Sequence, residues 1–177
     1  MSDAYQEARA NRNSLERLGE KIPGYRGFQD RELRRDVDRS LREHLAAELG
    51  RLKATLRDRA RAFTDAGKLG ALNGFDRLDR QIDGLSQAVR FSDYGATGLF
   101  DPVKIRDGEL ERLYQFDLSV VDDLALLESE IAALPAPGGD DPGPALDRLQ
   151  QSARALDGKW RQREQVIGAA VDSGQGA

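Results

Sequence analysis

The sequence has no cysteine, one histidine, one methionine and one tryptophan, and most of these scarcities close off a class of chemistry. Without cysteine there is no disulfide framework, no thiolate nucleophile and no sulfur-ligated zinc site. With a single histidine, the paired Glu-x-x-His ligands of di-iron bundles are missing. That residue, His44, lies in Leu41-Arg42-Glu43-His44-Leu45, beside an apolar stripe, and reads as a surface or boundary side chain. No phosphate-binding glycine loop of the P-loop or dinucleotide type occurs, and Gly95-x-x-Gly98 alone is too short a signal to count as one. No apolar run approaches the ~18 residues of a membrane span, and Met1-Ser2-Asp3-Ala4-Tyr5-Gln6-Glu7 has neither the basic start nor the apolar core of a signal peptide. The expectation is therefore a cytoplasmic protein without a catalytic, metal or cofactor site.

What the chain does have is charge and helical periodicity. Charged residues reach 33% against 39% hydrophobic in 177 residues, a balance that suits an elongated helical domain with a large solvated surface. No segment alternates as a strand would. A first helix is predicted over 3–20, with Asp3 as N-cap, ended by Ile22-Pro23-Gly24-Tyr25-Arg26-Gly27. From Asp30 a second helix is predicted to about Ala66, burying Leu33, Val37, Leu41, Leu45, Leu49, Leu52, Leu56, Ala60 and Phe63. The mean spacing of that stripe, about 3.75 residues, is wider than a left-handed coiled-coil seam. Gly67 is its natural stop. A third helix ends near Arg90, with Leu72, Phe75, Leu78, Ile82, Leu85 and Val89 at intervals of three and four. A fourth runs from about Asp107 to Leu134 with a nearly 3.5-residue period, which could form a coiled-coil seam. After the Pro- and Gly-rich stretch 135–144, Asp141-Pro142 caps a fifth helix carrying Leu146, Leu149, Ala153, Leu156, Trp160 and Ile167.

These elements predict an all-α, elongated antiparallel bundle of four to five helices. Residues 1–27 form the N-terminal helix and turn, 28–134 the bundle core, 135–144 a linker, 145–170 a packed C-terminal helix and 171–177 a mobile tail. At 1.5 Å per residue the second helix outreaches the third by roughly 25 Å. The 91–106 connection, through Phe91, Tyr94, Leu99 and Phe100, is the expected cover for the excess, with the first helix or the 22–27 turn assisting. A break at Gly50 is the rival account.

Charge is distributed unevenly. Residues 26–61 hold eleven basic against seven acidic side chains in a chain of net charge −4, while the fourth helix sets eight acids against Arg112. The excess, including Arg34, Arg35 and Arg42, reads either as a strip for nucleic acid, acidic membrane or an acidic protein, or as a solvated face laced by i,i+4 pairs and by pairing with the fourth helix. The second reading is favoured.

The two aromatic-glycine stretches, Pro23-Gly24-Tyr25-Arg26-Gly27 and Tyr94-Gly95-Ala96-Thr97-Gly98-Leu99-Phe100, read as turns plugging a bundle end or as anchors on a recognition surface. Together with Glu32-Leu33-Arg34-Arg35-Asp36 and Leu113-Tyr114-Gln115-Phe116-Asp117, they resemble an uncharacterised family of small bacterial and archaeal helical proteins over residues 20–130. The resemblance implies companionship with membrane-scaffold proteins of the SPFH (band 7) type, and carries over no catalytic or binding residues. The expected function is a non-catalytic structural or adaptor role through protein–protein contact or self-association, with Tyr25, Tyr94, Leu99, Phe100, Arg34, Arg35 and Arg42 as candidate contacts. The alternative is an anion-binding module working through the 26–61 strip. An enzyme lacks its usual parts here.

Overall fold

The computed structural model describes residues 14–27, 34–92 and 107–175, with side chains as far as residue 170. It is an all-α bundle. Helical residues at 14–21 (α1) lead into the 22–27 turn, followed by α2 (Arg34–Asp65), a short 3-10 turn (Leu69–Ala71), α3 (Leu72–Arg90), α4 (Asp107–Ala132) and α5 (Gly143–Gln175). Among the described residues there is no strand.

Local chemistry sets the helix ends. α2 stops at Gly67, whose φ of +69° suits a residue without a Cβ, and Lys68 N–H donates back to Phe63 O while Gly67 N–H donates to Thr64 O. That pair of bonds is the Schellman arrangement, which satisfies carbonyls the helix would otherwise leave open. α5 is capped by Asp141, whose carboxylate accepts from Gly143 N–H at 3.0 Å, with Pro142 in the first turn where a missing N–H costs nothing. Gly50 does not break α2; it is exposed and the helix runs through it. α5 also continues to Gln175, beyond the point where a tail was expected to begin.

Four helices close a ring in the order α2, α3, α5, α4, each packed on its two neighbours, with α3 and α4 across from one another. Cross-links fix the directions. Asp38 near the start of α2 meets Arg163 in the second half of α5, and Gly74 at the start of α3 receives Leu146 at the start of α5. Thus α2 and α4 run one way, and α3 and α5 the other. α1 and its turn lie along α2 and α4, with Leu18, Ile22 and Tyr25 in the common core and Arg17 and Lys21 reaching Asp122 of α4.

Among the described residues the length mismatch is met by α5 and by the 22–27 turn that was expected to assist. α2 has 32 residues and α3 only 19, but α5 has 33 and lies beside both α3 and α4. Val37 and Leu41, which α3 cannot reach, are 1% and 0% exposed. They share one core cluster with Ile22 and Tyr25 of the turn, Leu113 and Tyr114 of α4 and Ile167 of α5. Phe91, expected to dock on this part of α2, is 68% exposed instead. Tyr94, Leu99 and Phe100 lie outside the described residues, as do Asp3, Asp30 and Leu33.

The basic strip on α2 is laced as the favoured reading supposed, although with other partners. Lys53 pairs with Asp83 and Asp79, and Arg57 with Asp79, all on α3. Arg51 pairs with Glu48 one turn back. Arg59 turns to α4, where it donates to the carbonyl of Ala132. Two acids of α4 pair with other elements, Asp122 with α1 and Asp123 with Lys159 of α5.

Candidate functional site

The densest chemistry in the described structure is a buried ionic cluster at the end of the bundle where α2 and α4 begin. It grows out of the helix stripes. The seam positions of α4, Leu110, Leu113, Asp117, Val120, Leu124, Leu127 and Ile131, alternate intervals of three and four, with Tyr114, Leu118 and Val121 buried beside them. Those of α5, Leu146, Leu149, Ala153, Leu156, Trp160, Arg163, Ile167 and Ala170, do the same without interruption. Each helix therefore presents a heptad seam, and each seam contains one charged residue.

Asp117 is 0% exposed and Arg163 3%. The guanidinium donates from Nε to Asp117 Oδ1 at 2.7 Å and from Nη2 to Asp117 Oδ2 at 3.2 Å, the two-pronged geometry that suits arginine to carboxylate. Its third edge, Nη1, donates to Asp38 Oδ1 at 2.7 Å, and Asp38 is itself 1% exposed. Arg42, one turn along α2, donates from Nε to the other oxygen of Asp38 at 2.9 Å and keeps 15% of its side chain exposed. The Tyr25 hydroxyl donates to Asp117 Oδ2 at 3.1 Å. Arg163 also lies over the Trp160 ring, 5.2 Å from its centroid, and Tyr25 meets Tyr114 edge-on at 6.4 Å.

The backbone of the turn is shaped to deliver Tyr25. Gly24 and Gly27 both have φ of +84°, and a Cβ at Gly27 would stand 2.7 Å from the Tyr114 hydroxyl. Only glycine lets the chain pass that closely.

Burial governs the electrostatics. It pushes the Asp117 carboxyl above its ordinary value, with the Arg163 guanidinium pulling against it. Burial would lower Arg163, but Asp117 and then Asp38 outweigh it and hold the guanidinium charged. Burial, reinforced by the charge of Asp117, raises the Tyr25 hydroxyl well above the usual phenol range. The cluster thus combines a permanent cation, two carboxylates and a phenol that keeps its proton, with Arg42 at its edge. Each Arg163 nitrogen donates to a carboxylate of the bundle, so this centre ties three helices together at one level.

The predicted contact residues divide accordingly. Tyr25 is 5% exposed and Arg34 3%, so both belong to the interior, where neither presents a surface to a partner. Arg42 serves Asp38, and Arg35 is exposed on α2. Trp160, expected at the core edge, is 3% exposed. His44 sits at the boundary, 3.9 Å from Glu48, with burial and then Arg51 and Lys21 lowering its pKa. Among the described residues no group of three or more His, Cys, Asp or Glu could hold a metal ion, and no helix is long and apolar enough to cross a membrane.

Sequence reasoning passed over Asp117 and Arg163. The signal was present: both stripes skip from one apolar residue to another seven positions on, Leu113 to Val120 and Trp160 to Ile167. The position in between holds an acid in one helix and a base in the other.

Among the open grooves of the described structure, one of about 330 Å³ lies between the end of α3 and the second half of α5, lined by Ala88, Phe91, Ser92, Trp160, Arg161, Arg163, Glu164 and Ile167. No family model, curated protein or solved structure matches the chain.

Proposed function

We propose that the protein is a non-catalytic adaptor that binds a protein partner at the α3–α5 groove. The observation that carries this reading is Phe91. Its ring is 68% exposed at the rim of the groove, beside Ala88, Trp160 and Ile167. A large aromatic side chain left in water next to an apolar cleft is the type of anchor that dominates interface energies. Arg161 and Glu164 on the same rim supply one charge of each sign, which suits a helix of a second protein offering an apolar side chain between charged neighbours. The resemblance to companions of SPFH scaffold proteins points the same way, towards assembly work.

The test is capture by the purified chain at low and high salt, comparing the parent with Phe91→Ala. Proteins held through an apolar anchor stay bound at high salt and are lost on Phe91→Ala, while the helical spectrum is unchanged. Equal capture by Phe91→Ala would sink the groove reading. Capture that vanishes with salt and with Arg35→Glu and Arg39→Glu would favour the anion-binding alternative, because counterion release makes such binding steeply salt-dependent. Sedimentation of the chain alone reports whether the partner is a second copy.

A further inference from the structure

We propose that the Asp38–Asp117–Arg163 cluster with Tyr25 is a register lock, which selects one sliding position of α5 against α2 and α4 and is not what makes the bundle stable. The seams of α4 and α5 are otherwise apolar along their whole described length. Sliding one such helix by a heptad, about 10 Å, again places an apolar residue opposite an apolar residue. Shape alone separates these arrangements weakly, since apolar cores accept many residues of roughly the right volume. The charged position removes the ambiguity. After a one-heptad slip Arg163 would face apolar seam residues, and Asp117 would meet Leu156 or Ala170 in its place. Both ions would then be buried without a partner, a far larger penalty than any misfit of methyl groups.

The geometry extends the lock beyond a single helix pair. Arg163 spends two donors on α4 and one on α2, at 2.7, 3.2 and 2.7 Å, so three helices are pinned at one level. Tyr25 adds the turn by its bond to the same Asp117 carboxylate. At the opposite end the α3–α5 contact is set mainly by Leu146 fitting against Gly74, with one long Gln150–Gly74 hydrogen bond at 3.4 Å beside it. A buried polar group that sacrifices stability for a single register is known from coiled coils, and here the selecting element is an ion pair shared among three helices.

The test uses the absence of cysteine. A pair of introduced cysteines, Ser129→Cys on α4 and Gln151→Cys on α5, both at exposed positions, carries spin labels whose separation is measured by pulsed electron paramagnetic resonance. The parent gives one narrow distance. In Asp38→Leu/Asp117→Leu/Arg163→Met with Tyr25→Phe, the expected result is a retained helical spectrum, a denaturation midpoint at or above the parent's, and a distance distribution that broadens or splits. Asp38→Asn/Asp117→Asn/Arg163→Gln, which keeps the three side chains polar and removes the ionic matching, is measured in parallel, so that poor fit of the apolar replacements is not mistaken for a need for charge. A single narrow distance at the parent's value in either folded variant overturns the lock. So does loss of helical structure in both variants, which would make the cluster a stabilising element.

Discussion

The two ends of the bundle are held by different physics. Where α2 and α4 finish, the core is built by shape. Phe63 and Phe75 stack at a tilt of 49° with centroids 5.4 Å apart, and Leu146 presses so close to Gly74 that a Cβ there would lie 2.9 Å from its Cδ1. A buried polar contact accompanies them, a Gln150 amide donating to Gly74 O at 3.4 Å. Where α2 and α4 begin, the core is built by charge, with Arg163 between two carboxylates and Tyr25 closing over one of them. The comparison separates two jobs that packing is often asked to do at once. Apolar burial supplies most of the free energy but discriminates poorly between neighbouring registers, whereas a buried ion pair adds little net stability and discriminates strongly.

The largest effect expected from breaking this contrast is at the charged end. Arg163→Ala leaves Asp38 and Asp117 facing each other in the interior, and urea denaturation should show a loss of about 4 kcal/mol. At the apolar end, Phe75→Ala removes a fully buried ring and should cost about 3 kcal/mol with no change in register, checked by the same denaturation and by the spin-label distance.

Tyr25→Phe is milder, since it deletes one hydrogen bond to a charged acceptor and keeps the ring, for a loss of about 2 kcal/mol near neutral pH. Its pH signature is more telling. Tyr25 titrates well above 10.0 in the fold, so above that pH the unfolded chain releases a proton that the folded chain keeps. Stability from this group is present below pH 10 and is lost as pH rises beyond it. Denaturation midpoints measured between pH 9 and 11 should fall with a slope that Tyr25→Phe reduces.

The smallest effect belongs to His44, whose pKa is lowered from 6.5 by burial. Below that value the unfolded chain binds the extra proton first, so stability should drift down as pH falls through the window just under 6.5, and His44→Gln should flatten that drift. A drift of the opposite sign would mean that Glu48 holds the imidazolium in place.

Much of this fold was legible in the sequence because helices write their buried face at intervals of three and four. The stripes from Val37 to Phe63 and from Phe75 to Val89 are buried as expected, and Gly67 and Asp141 mark ends that the backbone bonds confirm. The ionic cluster was not read, because a stripe is conventionally traced through apolar residues. Asp117 was counted only among the eight acids of its helix and Arg163 not singled out, although each fills a seam position. Asp38 was harder still, since it adjoins Val37 on a helix whose wider spacing blurs the edge of the buried face, and nothing local distinguishes it from Asp36. Of the expected cover for the start of α2, the 22–27 turn is in place and Phe91 is not, while 93–106 lie outside the described residues. The length of α5 past Arg163 depends on packing against α3 and α4, which no local signal in the 160–175 stretch announces.

The measurement that bears most directly on the division of labour is a double-mutant cycle of Asp117→Leu and Arg163→Met in an Asp38→Leu/Tyr25→Phe background, which strands no other member of the cluster, each variant unfolded in urea at neutral pH. If Asp117 and Arg163 are matched charges that select a register without adding much net stability, each single change should destabilise by about 3 kcal/mol or more while the double variant recovers most of that loss, a strongly favourable coupling. Additive losses in the double variant would contradict the account and make the charged end as much a source of stability as the apolar one.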